Sequence, residues 1–208
     1  MNITDVISIQ ELISESLKTS LTYNEYRALV FELAKKGETT GHEKTEALVN
    51  YTMLNDRRMK RWDKTVKISE ENEIALKDIE SRQTWLVITE SWCGDAAHIM
   101  PVLNKLATLN SKIEYKVVLR DENEDLMNQF LTNGSKSIPK LLIIDNETKN
   151  VIDTYGPRPS EATDMVEAYK EEYGKLTPEF KEDLQRWYNK DKGLTTQNDI
   201  IKILKEHN

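Results

Sequence analysis

The alternation of short apolar runs with helix-like stretches is the feature of this 208-residue chain that most constrains its fold. The apolar runs are rich in Val, Ile and Leu, as buried strands usually are, and the stretches between them carry apolar residues at helical spacing. Strands that alternate with helices predict an α/β fold whose sheet is covered on both faces. The predicted strands are residues 64–68, 85–89, 114–119, 140–145 and 151–155.

The N-terminal third is predicted to be helical. All five prolines lie at position 101 or later, so no proline interrupts a helix before that point. Thr22 and Glu25 form a capping box for one helix, which Gly37 ends, and a longer helix begins near residue 42. The residues of this longer helix that we expect to face inward are Leu48, Tyr51, Met53, Leu54 and Met59.

Composition argues against nucleic-acid binding and against a membrane location. The chain has 29 basic and 36 acidic residues and a net charge of −7, so bulk charge does not favour phosphate backbones. No apolar run approaches the roughly 18 residues of a membrane span, and residues 1–18 do not resemble a secretory signal. We therefore expect a cytoplasmic protein.

Residues 57–67 form a basic segment, with six Lys and Arg against the single acid Asp63. Two interpretations stand. The segment is either a docking surface for an acidic partner or a solvated helix face whose cations complement the negative end of the helix dipole.

The chain has one cysteine, Cys93, which excludes an intramolecular disulfide and a multi-cysteine metal site. Cys93 follows a predicted strand and a short turn, and we expect it at the start of a helix that begins near Gly94. Backbone N–H groups at a helix N-terminus favour a thiolate, which is the reactive form. The alternative is a buried, inert thiol.

Around this cysteine the chain resembles the thioredoxin family. The segment TWLVITESWCGDAAHIMP matches the strand, the active-site Trp92-Cys93-Gly94 and the later helix proline, Pro101. The resemblance implies a three-layer α/β/α core with a mixed central sheet at residues 64–172. It leaves a helical N-terminal extension at 1–63 and C-terminal helices at 173–208, the last of them opened by Thr195 or Thr196.

Two further motifs carry the same resemblance in the expected order. Ile138-Pro139 in SKSIPKLLIID resembles the family's step in which a cis proline faces the cysteine, and Gly156 matches a glycine beside the site. In more detail the chain is similar to a bacterial subgroup with a WCGDA motif, here residues 92–96, whose chemistry is little assigned. The resemblance implies that Trp92 and Ile138 border a groove for an extended substrate.

Two departures from the family pattern change the mechanism that we expect. Ala96 stands where thioredoxin has its second cysteine, and Val87 stands where it has a buried carboxylate. The chain is therefore predicted to be a monothiol thiol–disulfide oxidoreductase that forms mixed disulfides through Cys93 and needs another thiol for release. Its expected partners are a disulfide-bearing protein or a low-molecular-weight thiol. The alternative is a redox-inactive binding or adaptor module.

Charged neighbours of Cys93 act in opposite directions. Asp95 and Glu90 disfavour a thiolate, whereas Arg158 either approaches the site and favours one or points to solvent. His98 is expected to be a structural or surface histidine and not a catalytic base, since it lies on a different side of the helix from Cys93. No motif indicates a metal or another cofactor. We expect the helical extension either to cover the sheet or to pair two chains as a homodimer.

Overall fold

The computed structural model describes residues 7–207. The first six residues of the predicted N-terminal extension, and with them part of the segment compared with a secretory signal, lie outside the described residues. Within residues 7–207, no helix is both long and apolar enough to span a bilayer.

A mixed four-stranded sheet forms the centre of the fold, which confirms the predicted α/β class. Its strands are β1 (Gln83–Thr89), β2 (Ile113–Leu119), β3 (Lys140–Asp145) and β4 (Val151–Tyr155), in the order β2-β1-β3-β4. Strand β1 pairs in parallel with β2, and β3 pairs antiparallel with both β1 and β4. Every residue of β1 is buried, so side chains cover both faces of the sheet at its centre.

The helices surround this sheet. In the described part of the chain they are α1 (Ile9–Lys18), α2 (Tyr23–Lys36), α3 (Glu46–Thr65), α4 (Glu70–Lys77), α5 (Ala96–Ala107), α6 (Glu124–Gln129), α7 (Ser160–Tyr173), α8 (Pro178–Asp191) and α9 (Leu194–Glu206). The predicted capping box of Thr22 and Glu25 is confirmed, as is the left-handed Gly37 that ends α2. A short 3₁₀ turn, Arg120–Glu122, precedes α6.

The predicted strand at residues 64–68 is wrong. Helix α3 continues to Thr65, and the Val66 N–H still donates to the Trp62 carbonyl. The first residues of the predicted strand therefore belong to the helix. The edge of β2 instead pairs with Leu21 of the extension, through two reciprocal backbone hydrogen bonds of 2.8 Å with Val117. The extension thus covers part of an otherwise open sheet edge.

The inward face of α3 also differs from the prediction. Tyr51 and Leu54 are 41% and 39% exposed, while Thr52 and Asn55 are buried together with Met59 and Trp62. The buried polar pair bonds to Ser91 next to the cysteine: the Thr52 and Ser91 hydroxyls lie 2.8 Å apart, and the Asn55 amide donates to the Ser91 carbonyl at 2.9 Å. The spacing of apolar residues therefore predicted the burial of Met59 but not that of Thr52 and Asn55, whose polar side chains bond to Ser91.

The last helix begins at Leu194 rather than at Thr195 or Thr196. Gly193 precedes it in the left-handed conformation, and the Asp191 carboxylate accepts from the Thr195 N–H and hydroxyl at 3.0 and 2.6 Å. One cluster of buried apolar residues runs from Ile13 to Leu204 and includes α5 and the sheet. The domain boundaries at residues 63 and 172 stay a prediction.

Two left-handed glycines allow a matched test of this packing. A β-carbon at Gly193 would lie 2.6 Å from a Val102 methyl group, whereas one at Gly37 would meet nothing within 4 Å. Because both have a positive φ, Gly37→Ala should cost about 1 kcal/mol of unfolding free energy. Gly193→Ala should cost about 2–4 kcal/mol, since overpacking adds to the backbone cost. Urea denaturation measures both, and equal losses would contradict the packing of Gly193 against α5.

Candidate functional site

The turn that carries Cys93 lies between β1 and α5. The helix begins at Ala96 with Asp95 as its N-cap residue, not near Gly94, so Cys93 stands three residues before the helix. The Cys93 N–H donates to the Glu90 carbonyl at 3.1 Å and closes the turn. The Cys93 carbonyl nevertheless accepts the Ala97 N–H at 3.3 Å, and the Asp95 and Ala96 N–H groups act on the thiol, so Cys93 lies at the N-terminal end of the helix, as predicted.

The N-terminal extension holds this turn in place. The Ser91 N–H donates to the Thr40 hydroxyl at 2.8 Å, and the Asn55 amide binds the Ser91 carbonyl. The Tyr26 hydroxyl donates to the Glu90 carbonyl at 3.2 Å. Since all these groups are buried, their loss would leave unpaired polar atoms, and the extension is thus an integral support of the site.

The Cys93 thiol is 6% exposed and donates to the Ile138 carbonyl at 3.2 Å. Burial, the larger cause, and the Asp95 carboxylate raise the pKa of this thiol to about 12. The backbone N–H groups of Ala96 and Asp95 and the Arg158 guanidinium act in the opposite direction. The predicted stabilisation of a thiolate is thus outweighed by burial, and the resting group at neutral pH is a thiol.

The segments of the two further motifs meet beside the cysteine. The Ile138–Pro139 and Gly156–Pro157 peptide bonds are both cis. Gly156 has a φ of +104°, and a β-carbon there would lie 2.2 Å from the Pro139 carbonyl oxygen. No other residue fits without moving the backbone that presents Ile138 to the thiol.

Asp95 is buried between two partners. The Tyr188 hydroxyl donates to Oδ1 at 2.9 Å, and Arg158 Nη2 lies 2.8 Å from Oδ2. Burial raises the pKa of Asp95, while Arg158 and Tyr188 oppose that rise. Of the two interpretations of Arg158, the one in which it approaches the site therefore holds, although its charge is largely taken up by Asp95.

His98 connects three helices below the site. Its Nδ1 accepts from the Trp62 indole at 2.8 Å, its Nε2 lies 2.7 Å from the Gln185 amide oxygen, and its ring stacks on Tyr188 at 4.3 Å. These contacts fit the neutral Nε2–H tautomer. Burial lowers the pKa of His98 to about 3, so the ring is structural, as expected.

A cavity of about 720 Å³ opens over the thiol. Of the residues predicted to form the site, Trp92, Cys93, Gly94, Asp95, Ile138 and Arg158 line it, and Pro139 and Gly156 do not. Its other walls come partly from the central domain, including Arg120 and Lys136, and partly from the extensions, including Arg58 of α3 and Leu184 and Gln185 of α8. Leu184, Gln185 and Tyr188 carry no motif, so the sequence alone did not indicate them, and Arg58 was indicated only as a member of the basic segment at residues 57–67. Among residues 7–207 no group of three His, Cys, Asp or Glu side chains is placed to hold a metal ion.

The Asp95 charge should control the reactivity of Cys93. Asp95→Asn removes a negative charge and leaves Arg158 without its carboxylate, so the Cys93 pKa should fall by about one unit. Iodoacetamide alkylation at pH 8 should then be about tenfold faster than in the wild type. Tyr188→Phe keeps the negative charge and is the control, with no such acceleration. An unchanged rate in Asp95→Asn would show that the carboxylate does not act on the thiol.

The neutral His98 should make stability depend on pH. Its pKa is lower in the folded protein than the ordinary value near 6.5, so its contribution is complete above pH 6.5 and is lost as pH falls towards 3. The unfolding free energy should therefore drop by about 1.4 kcal/mol per pH unit between pH 6.5 and 5. His98→Gln should remove this slope and His42→Gln, at an exposed position, should keep it. The same slope in both variants would assign it to other groups.

Comparison with known proteins extends over most of the chain. The family model described as thioredoxin matches residues 41–170, which is more than half of the sequence. A crystal structure of a Pseudomonas aeruginosa protein of unknown function has a TM-score of 0.56 at 20% identity, covering 89% of this chain and 98% of that one. An HIV epitope scaffold has a TM-score of 0.54 at 21% identity, covering 89% and 99%. These two likenesses show the fold alone, and no curated protein matches. By the family match, the chain belongs to the thioredoxin family.

Proposed function

We propose that this protein is a monothiol thiol–disulfide oxidoreductase that captures disulfides at Cys93. The observation that carries the proposal is the position of the thiol, which lines the 720 Å³ cavity and contacts the Ile138 carbonyl. Cys93 is the only cysteine of the chain, and the buried Ala96 occupies the place of a second one. Capture without internal release follows from that composition.

The proposed exchange has two steps. Cys93 loses its proton to solvent, and the thiolate attacks one sulfur of a disulfide R–S–S–R′, forming Cys93–S–S–R and expelling R′–S⁻, which takes up a proton. A second thiolate R″–S⁻ then attacks the R sulfur, forms R–S–S–R″ and restores the Cys93 thiolate. The protein is neither oxidised nor reduced over the cycle, and the second thiol comes from a low-molecular-weight thiol.

Ionisation of Cys93 would also change the groove. The Ile138 carbonyl accepts the thiol proton in the resting protein, and loss of that proton frees the carbonyl for an N–H of an extended substrate. Trp92 flanks the same opening, with the Arg120 guanidinium 5.0 Å from its ring centre. Substrate binding and activation of the nucleophile are thus coupled through one backbone oxygen in this proposal.

The sequence resemblance supplies the finer parts of the proposal. We place the protein in the bacterial subgroup with the WCGDA motif, and in a cytoplasm whose reducing conditions keep Cys93 free. Its proposed partners are disulfide-bearing proteins as well as the low-molecular-weight thiol. A homodimer through the N-terminal extension stays a prediction.

A redox-inactive binding module is the second candidate, and one observation favours it. The thiol is nearly fully buried and its pKa is raised to about 12, so only a minute fraction is thiolate near neutral pH. In that case the cavity binds a partner segment and Cys93 serves as a small buried side chain.

Mixed-disulfide kinetics distinguish the two candidates. Native protein incubated with 2-hydroxyethyl disulfide at pH 8 should gain one adduct on Cys93, detected by intact-mass spectrometry and removed by a small thiol. The rate should saturate with disulfide concentration, because binding in the cavity precedes attack, and low urea should leave it unchanged. Cys93→Ser is the control and should gain no adduct.

A different pattern would support the binding module. If the adduct forms only in proportion to the unfolded population, its rate rises steeply with low urea and stays linear in disulfide concentration. The buried thiol would then be reactive only after unfolding, and the oxidoreductase proposal would be wrong.

A further inference from the structure

The cavity over Cys93 is basic although the chain as a whole is acidic. The chain has a net charge of −7, yet five cationic side chains line this one opening, against the two carboxylates of Asp95 and Glu182. They are Arg58, Arg120, Lys136, Arg158 and Lys181. A local excess of positive charge in a concave site attracts anions. Whether this site has such an excess depends on how many of its cations are already paired with carboxylates of the same chain.

Three of the five cations are already neutralised by carboxylates of the same chain. Arg158 pairs with Asp95, Arg120 with Asp121 and Lys136 with Glu124, each at 2.8 Å. Among the described residues, neither Arg58 nor Lys181 has a carboxylate within 4 Å. The cavity cations without a direct carboxylate contact are therefore these two side chains, one on α3 and one on α8. The Glu182 carboxylate lines the same cavity, and Asp95 attracts the Arg58 charge from beyond contact distance.

Arg58 lies beside the reactive group. Its Nη1 is 3.7 Å from the position that a β-carbon would take at Gly94, the residue next to Cys93. A β-carbon at that position would be in ordinary van der Waals contact with the guanidinium, so Arg58 packs directly beside the Gly94 backbone. The Arg58 charge is thus placed where a group bound to the Cys93 sulfur would extend.

The guanidinium is held in position but not balanced. It is half-buried, and the one hydrogen bond that it makes in the described structure is from Nη1 to the Asn55 amide oxygen at 3.1 Å. Asn55 is itself anchored by its bond to the Ser91 carbonyl at 2.9 Å. Burial lowers the pKa of Arg58, which reflects the cost of a partly desolvated, unpaired cation. Four of its five N–H groups remain available for an anion.

We propose that Arg58 binds a carboxylate of the small-molecule disulfide or thiol that reacts at Cys93, so that the protein selects anionic low-molecular-weight substrates. This inference rests on the proposed thiol–disulfide exchange and names its substrate class. A planar guanidinium can bind a carboxylate through two parallel hydrogen bonds, which also orients the attached sulfur. Lys181 provides a second cation on α8 for a substrate with a further carboxylate.

The basic segment at residues 57–67 acquires a specific role in this proposal. Arg57 is exposed on the surface of α3, whereas Arg58 lines the cavity. Neighbouring arginines on one helix thus have different environments, and Arg57 provides a matched control for the charge of Arg58.

The test uses three disulfides of equal chain length and different charge: 3,3′-dithiodipropionate, 2-hydroxyethyl disulfide and cystamine. Rates of mixed-disulfide formation are measured on the full chain, and the ratio of the anionic to the cationic reagent is compared between proteins. Comparing proteins cancels the intrinsic difference in reactivity between the reagents. Arg58→Gln should lower this ratio by about tenfold relative to the wild type. Arg57→Gln should leave it unchanged, and Arg58→Lys should retain part of it.

The same ratio in the wild type and in Arg58→Gln would overturn the inference while leaving the exchange reaction intact. Circular dichroism and urea denaturation verify that each variant is folded. If Arg58→Gln does not fold, Arg58→Lys takes its place in the comparison.

A second measurement separates the inference from the chemistry. In a Cys93→Ser background, NMR titration with 3,3′-dithiodipropionate should show binding that Arg58→Gln weakens by about tenfold. Such binding, with no adduct on the wild type for any reagent, would support the carboxylate site and refute the exchange reaction. Absence of binding in Cys93→Ser, together with equal rate ratios, would refute the carboxylate site.

Discussion

The site depends on a buried carboxylate, Asp95, held between the Tyr188 hydroxyl and the Arg158 guanidinium. An ion pair in a protein interior is stable only when each charge keeps its partner, since removing one leaves an uncompensated charge. Asp95 immediately precedes α5, Arg158 follows the last strand, and Tyr188 belongs to a C-terminal helix. One carboxylate thus joins three segments that are distant in sequence, and the C-terminal helices become part of the site rather than an appendage to it.

The same carboxylate helps to keep the cysteine protonated. Asp95 adds to the effect of burial on the Cys93 pKa, while the hydrogen bond to the Ile138 carbonyl holds the proton in the resting protein. Arg158 lowers the pKa, but its guanidinium is paired with Asp95. The site therefore keeps a protonated thiol beside a cavity lined by five cations, so the proposed nucleophile requires activation after a ligand enters.

Local patterns predicted the fold better than they predicted the site. The sheet, the capping box at Thr22 and the glycine at position 37 are encoded by neighbouring residues and could be read directly. The predicted strand at residues 64–68 was wrong because a short apolar run is also compatible with the end of a long helix. The burial of Thr52 and Asn55 was not predicted for another reason. Both side chains bond to Ser91, which lies 36 or more residues away in the sequence. Arg58 and Tyr188 likewise come to lie at the site, beside Gly94 and Asp95, only through tertiary packing.

The central claim is that Cys93 forms a covalent bond to a ligand inside the cavity. A crystal structure of the protein after reaction with 3,3′-dithiodipropionate tests it most directly. We expect a disulfide between Cys93 and the reagent, a free Ile138 carbonyl where the thiol proton had been bound, and the carboxylate of the reagent against Arg58. Density for an unmodified thiol that still contacts Ile138, in crystals whose cavity admits the reagent, would contradict it.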